Sequence, residues 1–170
     1  SKAQALIMSG QVYVDNQKAD KAGASFLHDA AIEVRGDACP YVSRGGLKLA
    51  KALRDFGVDP TGFVCSDSGA STGGFTDVLL RGGAAKVVAL DVGHGQLDPR
   101  IANDEHVIEM SGVNIREVEA DDLPYRPAMI VSDVSFISLT YVIPVIARIA
   151  APGAQIVLLV KPQFEVGRAG

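Results

Sequence analysis

The sequence has no tryptophan, two cysteines and three histidines, and aromatic residues make up only 6% of it. Cys39 and Cys65 are too few for a disulfide framework or a cysteine–histidine metal cluster, so two reduced thiols and no metal site are expected. Long hydrophobic runs are missing as well. The longest candidate, Leu139 to Ala151, is interrupted by Pro144 and Arg148 and falls short of the ~20 residues that a membrane helix needs. No secretory signal peptide opens the sequence, and the expectation is a cytoplasmic protein with no membrane partner. An excess of positive charge is also lacking. The formal net charge is −4, so bulk composition does not mark a nucleic-acid binder.

What is present is enough apolar material for a core. Hydrophobic residues are 48% of 170, which suits one ordinary domain with a small appendage and excludes a disordered chain. The sequence opens at Ser1 inside a helical pattern and stops at Gly170 shortly after a strong strand, so a chain cut at both ends is expected. Basic residues gather locally between Tyr41 and Pro60, where Arg44, Lys48, Lys51 and Arg54 face only Asp55 and Asp59. Such a patch could contact phosphates, and it serves equally well as a solvated helix face.

Along the chain, Ser1 to Met8 reads as a helix stopped by Gly10, and Val12–Val14 and Ile32–Val34 as short strands around an Asp15-Asn16 turn. This unit, residues 1–36, looks too small to bury a core unaided. Residues 37–42 read as a linker. Ser43 is the expected cap of a helix whose apolar positions Leu47, Leu49, Ala50, Leu53 and Phe56 recur at helical spacing before Gly57. From residue 63 strands and helices alternate. Strands are expected at Phe63–Cys65, Lys86–Leu90, His106–Ile108, Ala128–Val131 and Ile156–Val160, with helices at Phe75–Leu80 and Leu139–Ala151. Near-continuous apolar strands between helices predict an α/β fold whose parallel sheet is covered on both faces.

The chemistry-bearing residues fall at strand ends, where open α/β sheets bind ligands. The first strand of the sheet leads to Asp67 and the run Gly69-Ala70-Ser71-Thr72-Gly73-Gly74-Phe75. Glycines there let the backbone approach a ligand and start a helix. The spacing is G-x-x-x-G-G, not the G-x-G-x-x-G of a dinucleotide fingerprint. Asp91, with Val92 beside it, ends the next strand 22 residues past Gly69, where a carboxylate can accept hydrogen bonds from the ribose of an adenosine. That fits NAD and S-adenosylmethionine alike. Asp67 favours the second, because a carboxylate suits an amino group and a sulfonium and repels a pyrophosphate. Lys48, Asp133 and Lys161 form a second group. Two lysines flanking an aspartate offer a means of activating a hydroxyl, and the ribose 2′-hydroxyl is such a target.

With these residues in place, the chain resembles the TlyA family, bacterial proteins also called hemolysin A, whose methyltransferase domain is of the FtsJ type. The resemblance is carried by YVSRGGLKL from Tyr41, DSGASTGGFTD from Asp67, DVGHGQL from Asp91, SDVSFISL from Ser132 and KPQFEVGR from Lys161. It implies a Rossmann-like S-adenosylmethionine methyltransferase over residues 43–170 with the C-terminal part of the sheet missing, and a partial S4-like RNA-binding unit over residues 1–36. It also implies 2′-O-methylation of ribosomal RNA, with ribosomal RNA or ribosomal subunits as partner. The family uses a Lys-Asp-Lys-Glu tetrad. Lys48, Asp133 and Lys161 match its first three positions as catalytic residues. The glutamate is expected well downstream, and Glu165 is not assigned that role. Asp67, Gly69, Ala70, Ser71, Thr72, Gly73, Gly74, Phe75, Asp91 and Val92 are the expected cofactor contacts, and Arg44 and Lys51 the expected RNA contacts. His94 stands where the family has an aromatic residue.

Three other functions compete. A membrane-active hemolysin needs an amphipathic or spanning segment, and the sequence offers none. A non-catalytic RNA-binding or assembly protein would keep the fold without using the cofactor. A NAD-dependent dehydrogenase conflicts with the glycine spacing.

Overall fold

Five strands form one fully parallel sheet whose three inner strands are buried on both faces. The structure is a computed structural model that describes residues 1–36 and 39–166, so Asp37 and Ala38 of the expected linker and Gly167 and Arg168 of KPQFEVGR lie outside the described residues. The chain divides into two compact units, Ser1–Ala38 and Cys39–Gly170.

The first unit begins with helix α1 (Lys2–Met8), whose N-cap Ser1 and Gln4 form a reciprocal capping box. Strands β1 (Val12–Val14), β2 (Gln17–Lys18) and β3 (Ile32–Val34) make an antiparallel sheet in the order β2-β1-β3. Asp15 and Asn16 both take positive φ, the conformation that a two-residue hairpin turn demands. Strand β2 is too short and too polar to show as a periodic pattern. Val12, Val14 and Ala19 form a small core.

In the second unit, residues 39–42, expected as linker, are bonded to the body of the unit: Asp77 accepts from Val42 N at 2.9 Å, and Arg81 donates to Pro40 O at 2.8 Å. Helix α2 (Gly45–Phe56) follows. Its N-cap is Arg44 without a side-chain bond, which corrects the expectation that Ser43 caps it. The Ser43 hydroxyl instead lies in the narrow gap against Gly74, where a side chain would collide with it. Leu49 and Leu53 turn inward, and Gly57 ends the helix in the left-handed conformation.

The sheet then builds outward from its middle. Strand β4 (Val64–Ser68) leads into α3 (Gly74–Arg81), and β5 (Lys86–Asp91) pairs with β4. A short helix α4 (Pro99–Ala102) precedes β6 (Val107–Ser111), the outer strand on that side. Two 3₁₀ turns, Ile115–Glu117 and Ala120–Asp122, lead to β7 (Met129–Ser132), which returns to the other side of β4. Helix α5 (Leu139–Ile149), β8 (Gln155–Leu158) and the one-turn helix α6 (Pro162–Glu165) complete the unit. Helix α5 runs through Pro144, which is exposed, so the backbone bond it forfeits lies where water can replace it.

The strand order is β6-β5-β4-β7-β8. Order reverses between β4 and β7, and a crevice opens there beyond the strands' C-terminal ends. Two apolar layers cover the faces. Leu49, Leu53, Phe75, Val78 and Leu79 pack on one side. Val142, Val145, Ile146 and Ile149 of α5 pack on the other.

Candidate active site

The first residue beyond β4 decides how close the two halves of the crevice come. Gly69 has φ +83°, and a Cβ there would stand 2.9 Å from the carbonyl oxygen of Asp133. Only glycine lets the β4 loop lie against the β7 loop. Gly73 turns the chain into α3 with φ +102°, and a Cβ on it would press on Leu97 and Ile101 at 3.1 and 3.2 Å. Between them Ser71 holds φ +51° without being glycine. Its conformation is fixed by Asp91, whose Oδ2 accepts from Ser71 N at 2.7 Å while Oδ1 accepts from Gly93 N at 2.8 Å.

Two cavities flank this loop. The larger, about 490 Å³, is lined by Leu90, Asp91, Val92, Gln96, Val113, Asn114, Ile115, Val134, Phe136 and Ile137. Its size and apolar walls with a few placed polar groups are those of a small-molecule site. The smaller, about 300 Å³, is lined by Ser43, Gly45, Lys48, Ala70, Thr72, Gly74, Phe75 and Lys161. Gly69, Ser71, Asp133 and Ser135 line both and form the wall they share.

At that wall Lys161 Nζ lies 2.6 Å from Asp133 Oδ1 and donates to Ser135 Oγ at 2.7 Å. Lys48 projects into the same smaller cavity and, among the described residues, makes no ion pair. The three residues expected to act together, Lys48, Asp133 and Lys161, therefore line one cleft. Of the expected cofactor contacts, Asp91 and Val92 line the larger cavity, Ala70, Thr72, Gly74 and Phe75 the smaller, and Gly69 and Ser71 both. Gly73 lies beneath the loop.

Asp67 is also beneath it, fully buried. Its Oδ2 accepts from Thr76 Oγ1 at 2.7 Å, and its Oδ1 has no hydrogen-bond partner among the described residues. Burial pushes its carboxyl up to about 7, against the opposing pull of Thr76, and the nearby carboxylates of Asp133 and Asp91 add to the rise. Arg44 and Lys51 stand outside both cavities. Arg44 is exposed at the start of α2, and Lys51 is paired with Asp55 one turn along it.

The glycine loop, the carboxylate-lined cavity and the lysine–aspartate cleft make a site for a small ligand beside a second, polar substrate. An FtsJ-like methyltransferase family model matches residues 41–170. The chain belongs to the FtsJ-like methyltransferase family. It is similar to YqxC of Bacillus subtilis, 44% identical over 168 residues, 98% of this chain and 60% of the relative. It is also 44% identical to the 16S/23S rRNA (cytidine-2′-O)-methyltransferase TlyA of Mycobacterium tuberculosis, over 98% of this chain and 63% of that one. Among solved structures, a hemolysin-type protein of Streptococcus thermophilus superposes with a TM-score of 0.81 at 42% identity, covering 98% of this chain and 62% of the other. The chain thus spans about three fifths of the length of these relatives.

Ser135 and Phe136 line this FtsJ-like site without being among the expected contacts, and Glu165 lies outside both cavities. Phe136 has φ +63° and is 91% exposed, at the lip of the larger cavity. A large exposed aromatic with a left-handed backbone is a costly arrangement that surroundings must hold. Its signal in the sequence was its place in SDVSFISL, three residues beyond Asp133.

Proposed function

We infer that this chain is the core of an S-adenosylmethionine-dependent ribosomal RNA ribose 2′-O-methyltransferase working in the cytoplasm. The observation that carries the reading is the contact of Lys161 with Asp133 and Ser135 on the wall between the two cavities. That wall is where a group bound on one side meets a hydroxyl presented on the other.

The residues present fit the cofactor. Asp91 keeps a free lone pair on each oxygen after its two backbone bonds and can accept from ribose hydroxyls. Leu90, Val113, Ile115 and Ile137 offer apolar walls for a purine. Asp67 lines neither cavity; its buried carboxyl beneath the glycine loop is an acidic group that favours a cation bound above it. The cofactor supplies a methyl group carried on a sulfonium. Asp133 would hold the substrate hydroxyl and the Lys161 amine would accept its proton, with Lys48 as a cation in the same cleft. Position and this hydrogen bond are most of what such a displacement asks of a protein. Phe136 presents a flat face on which an unpaired base can stack, the usual way single-stranded RNA is read. Arg44 and Lys51 are phosphate contacts in this reading, and residues 1–36 a partial S4-like RNA-binding unit.

The test is a map of ribose methylation in ribosomal RNA with and without the full-length protein. At least one 2′-O-methyl group should depend on it. Lys161→Ala should abolish that methylation by 100-fold or more, about 2.7 kcal/mol in the barrier, while calorimetry shows cofactor affinity unchanged within about twofold. Identical maps with intact cofactor binding would favour a non-catalytic RNA-binding role. Among the described residues no helix is long and apolar enough to cross a membrane. Leakage from liposomes exposed to the purified protein would support the hemolysin reading instead.

A further inference from the structure

Two loops that leave neighbouring strands are tied together at three points. Strands β7 and β8 pair in parallel as far as Ser132 opposite Leu158, and Leu159 N donates to Ser132 O at 3.0 Å. Beyond the pairing, residues 133–139 and 161–165 run on beside the two cavities. Lys161 makes the first tie, to Asp133 and Ser135. The rings of Phe136 and Phe164 make the second, with centroids 5.3 Å apart and planes tilted by 51°. Glu165 makes the third. Its Oε2 accepts from Ser138 Oγ at 2.6 Å, and its Oε1 from Leu139 N at 2.8 Å.

Ser138 and Leu139 are the N-cap and first residue of α5. A carboxylate there meets an otherwise free backbone N–H and the positive end of an 11-residue helix. The Leu139 and Ser138 bonds hold the Glu165 carboxyl below its ordinary range, so it is ionised at neutral pH. Helix α6 is one turn long and none of its residues is buried. Its one apolar hold is the half-buried Phe164 against the exposed Phe136, so its place depends chiefly on polar ties at its two ends. Lys161 is the tie at its start and Glu165 the tie at its end. Cutting the second leaves Lys161 at the base of a loose segment. It also frees the Phe136 loop, whose left-handed backbone relaxes unless it is held.

We propose that Glu165 is a positioning residue: it locks residues 161–165 to the start of α5 and so holds Lys161 on Asp133 with Phe136 beside them. The inference rests on the methyltransferase reading above. Its effect belongs in turnover, because Glu165 lines neither cavity.

The test compares wild type, Glu165→Ala, Glu165→Gln and Ser138→Ala in the full-length protein. Ribosomal RNA methylation and S-adenosylmethionine binding are both measured. Glu165→Ala should lower kcat at least tenfold with the cofactor Kd unchanged within twofold. Glu165→Gln should recover kcat to within about threefold of wild type, because the amide oxygen still accepts from Leu139 N and the amide nitrogen can donate to Ser138. Ser138→Ala, which keeps the Leu139 bond, should lie between them. Wild-type turnover in Glu165→Ala overturns the proposal. Equal loss in Glu165→Ala and Glu165→Gln, or loss of cofactor binding along with turnover, overturns it as well. If Glu165→Ala does not fold, an unaltered kcat in Ser138→Ala overturns it. An inactive wild type that still binds the cofactor would instead sink the methyltransferase reading, so the two failures are distinct.

Discussion

Asp91 serves two purposes with one carboxylate. It faces the larger cavity, and it joins the glycine loop to the β5 loop through Ser71 N and Gly93 N. Asp91→Ala therefore removes a ligand contact and leaves two backbone donors without their acceptor. Hydrogen bonds to a charged group are worth about 1.5–3 kcal/mol each; at this half-exposed site water replaces part of both, so a loss of about 2–3 kcal/mol in stability is expected, together with at least tenfold weaker S-adenosylmethionine binding. Urea denaturation and calorimetry measure the two effects separately. An Asp91→Ala protein with wild-type affinity would remove Asp91 from the proposed cofactor site. Asp91, Asp133 and Lys161 were legible in the sequence because each is a charged residue directly after an apolar strand, and strand ends of parallel sheets face the ligand. Ser135, Phe136 and Glu165 were not. Their significance lies in a backbone dihedral and in distances across two loops, and no periodicity encodes either. Asp67 was legible as an acidic residue beside the loop, but its depth was hidden. Burial depends on Thr76 coming up from α3 to meet it, nine positions on.

Most long elements were legible for a plain reason: β5, β7 and β8 are mainly apolar runs, and α2 and α5 repeat apolar residues at helical spacing. Strand β4, Val-Cys-Ser-Asp-Ser, is instead polar beyond Cys65, so its expected end at Cys65 fell short of Ser68. What escaped was short. Strand β2, helices α4 and α6 and the two 3₁₀ turns have four residues or fewer and too little length to show a period. The 3₁₀ turns nonetheless carry part of the cavity wall, Asn114 and Ile115. They are held by α5. Arg148 donates to Val118 O and Arg116 O, both at 2.8 Å, and Arg116 stacks over Tyr141 with 4.5 Å to the ring centroid. Arg148→Ala leaves two carbonyls without a donor at a partly exposed site, which water can partly replace. A loss of about 1–2 kcal/mol in stability is expected, seen as a lower Tm. Cofactor affinity should also fall, by severalfold, since the wall loosens. An Arg148→Ala protein with unchanged Tm would show that the turns hold themselves.

At the scale of the whole molecule, the buried carboxyl of Asp67 couples folding to ligand. Its folded value is about 7, whereas an unfolded chain titrates near 3.9. Between those values the folded state binds the proton that the unfolded state has released. Its stabilising contribution is therefore full below about pH 4, declines as pH rises through 7, and is gone above that. The loss is on the order of 4 kcal/mol across the window. Asp67→Asn keeps an acceptor for Thr76 and cannot ionise. It should melt higher than wild type at pH 8, with the gap closing toward pH 5. A gap independent of pH would show that burial does not hold the proton. A cationic ligand reverses the balance, because it favours the ionised carboxylate. In the proposed site the amino group of S-adenosylmethionine is that cation. Its binding to wild type should tighten as pH rises from 6 to 8, and the same titration on Asp67→Asn should be flat. The apo protein is then least stable in the pH range where its ligand binds best, and bound cofactor should raise Tm more at pH 8 than at pH 6. Equal shifts at the two pH values would separate Asp67 from the ligand and leave it a purely structural acid beneath the loop.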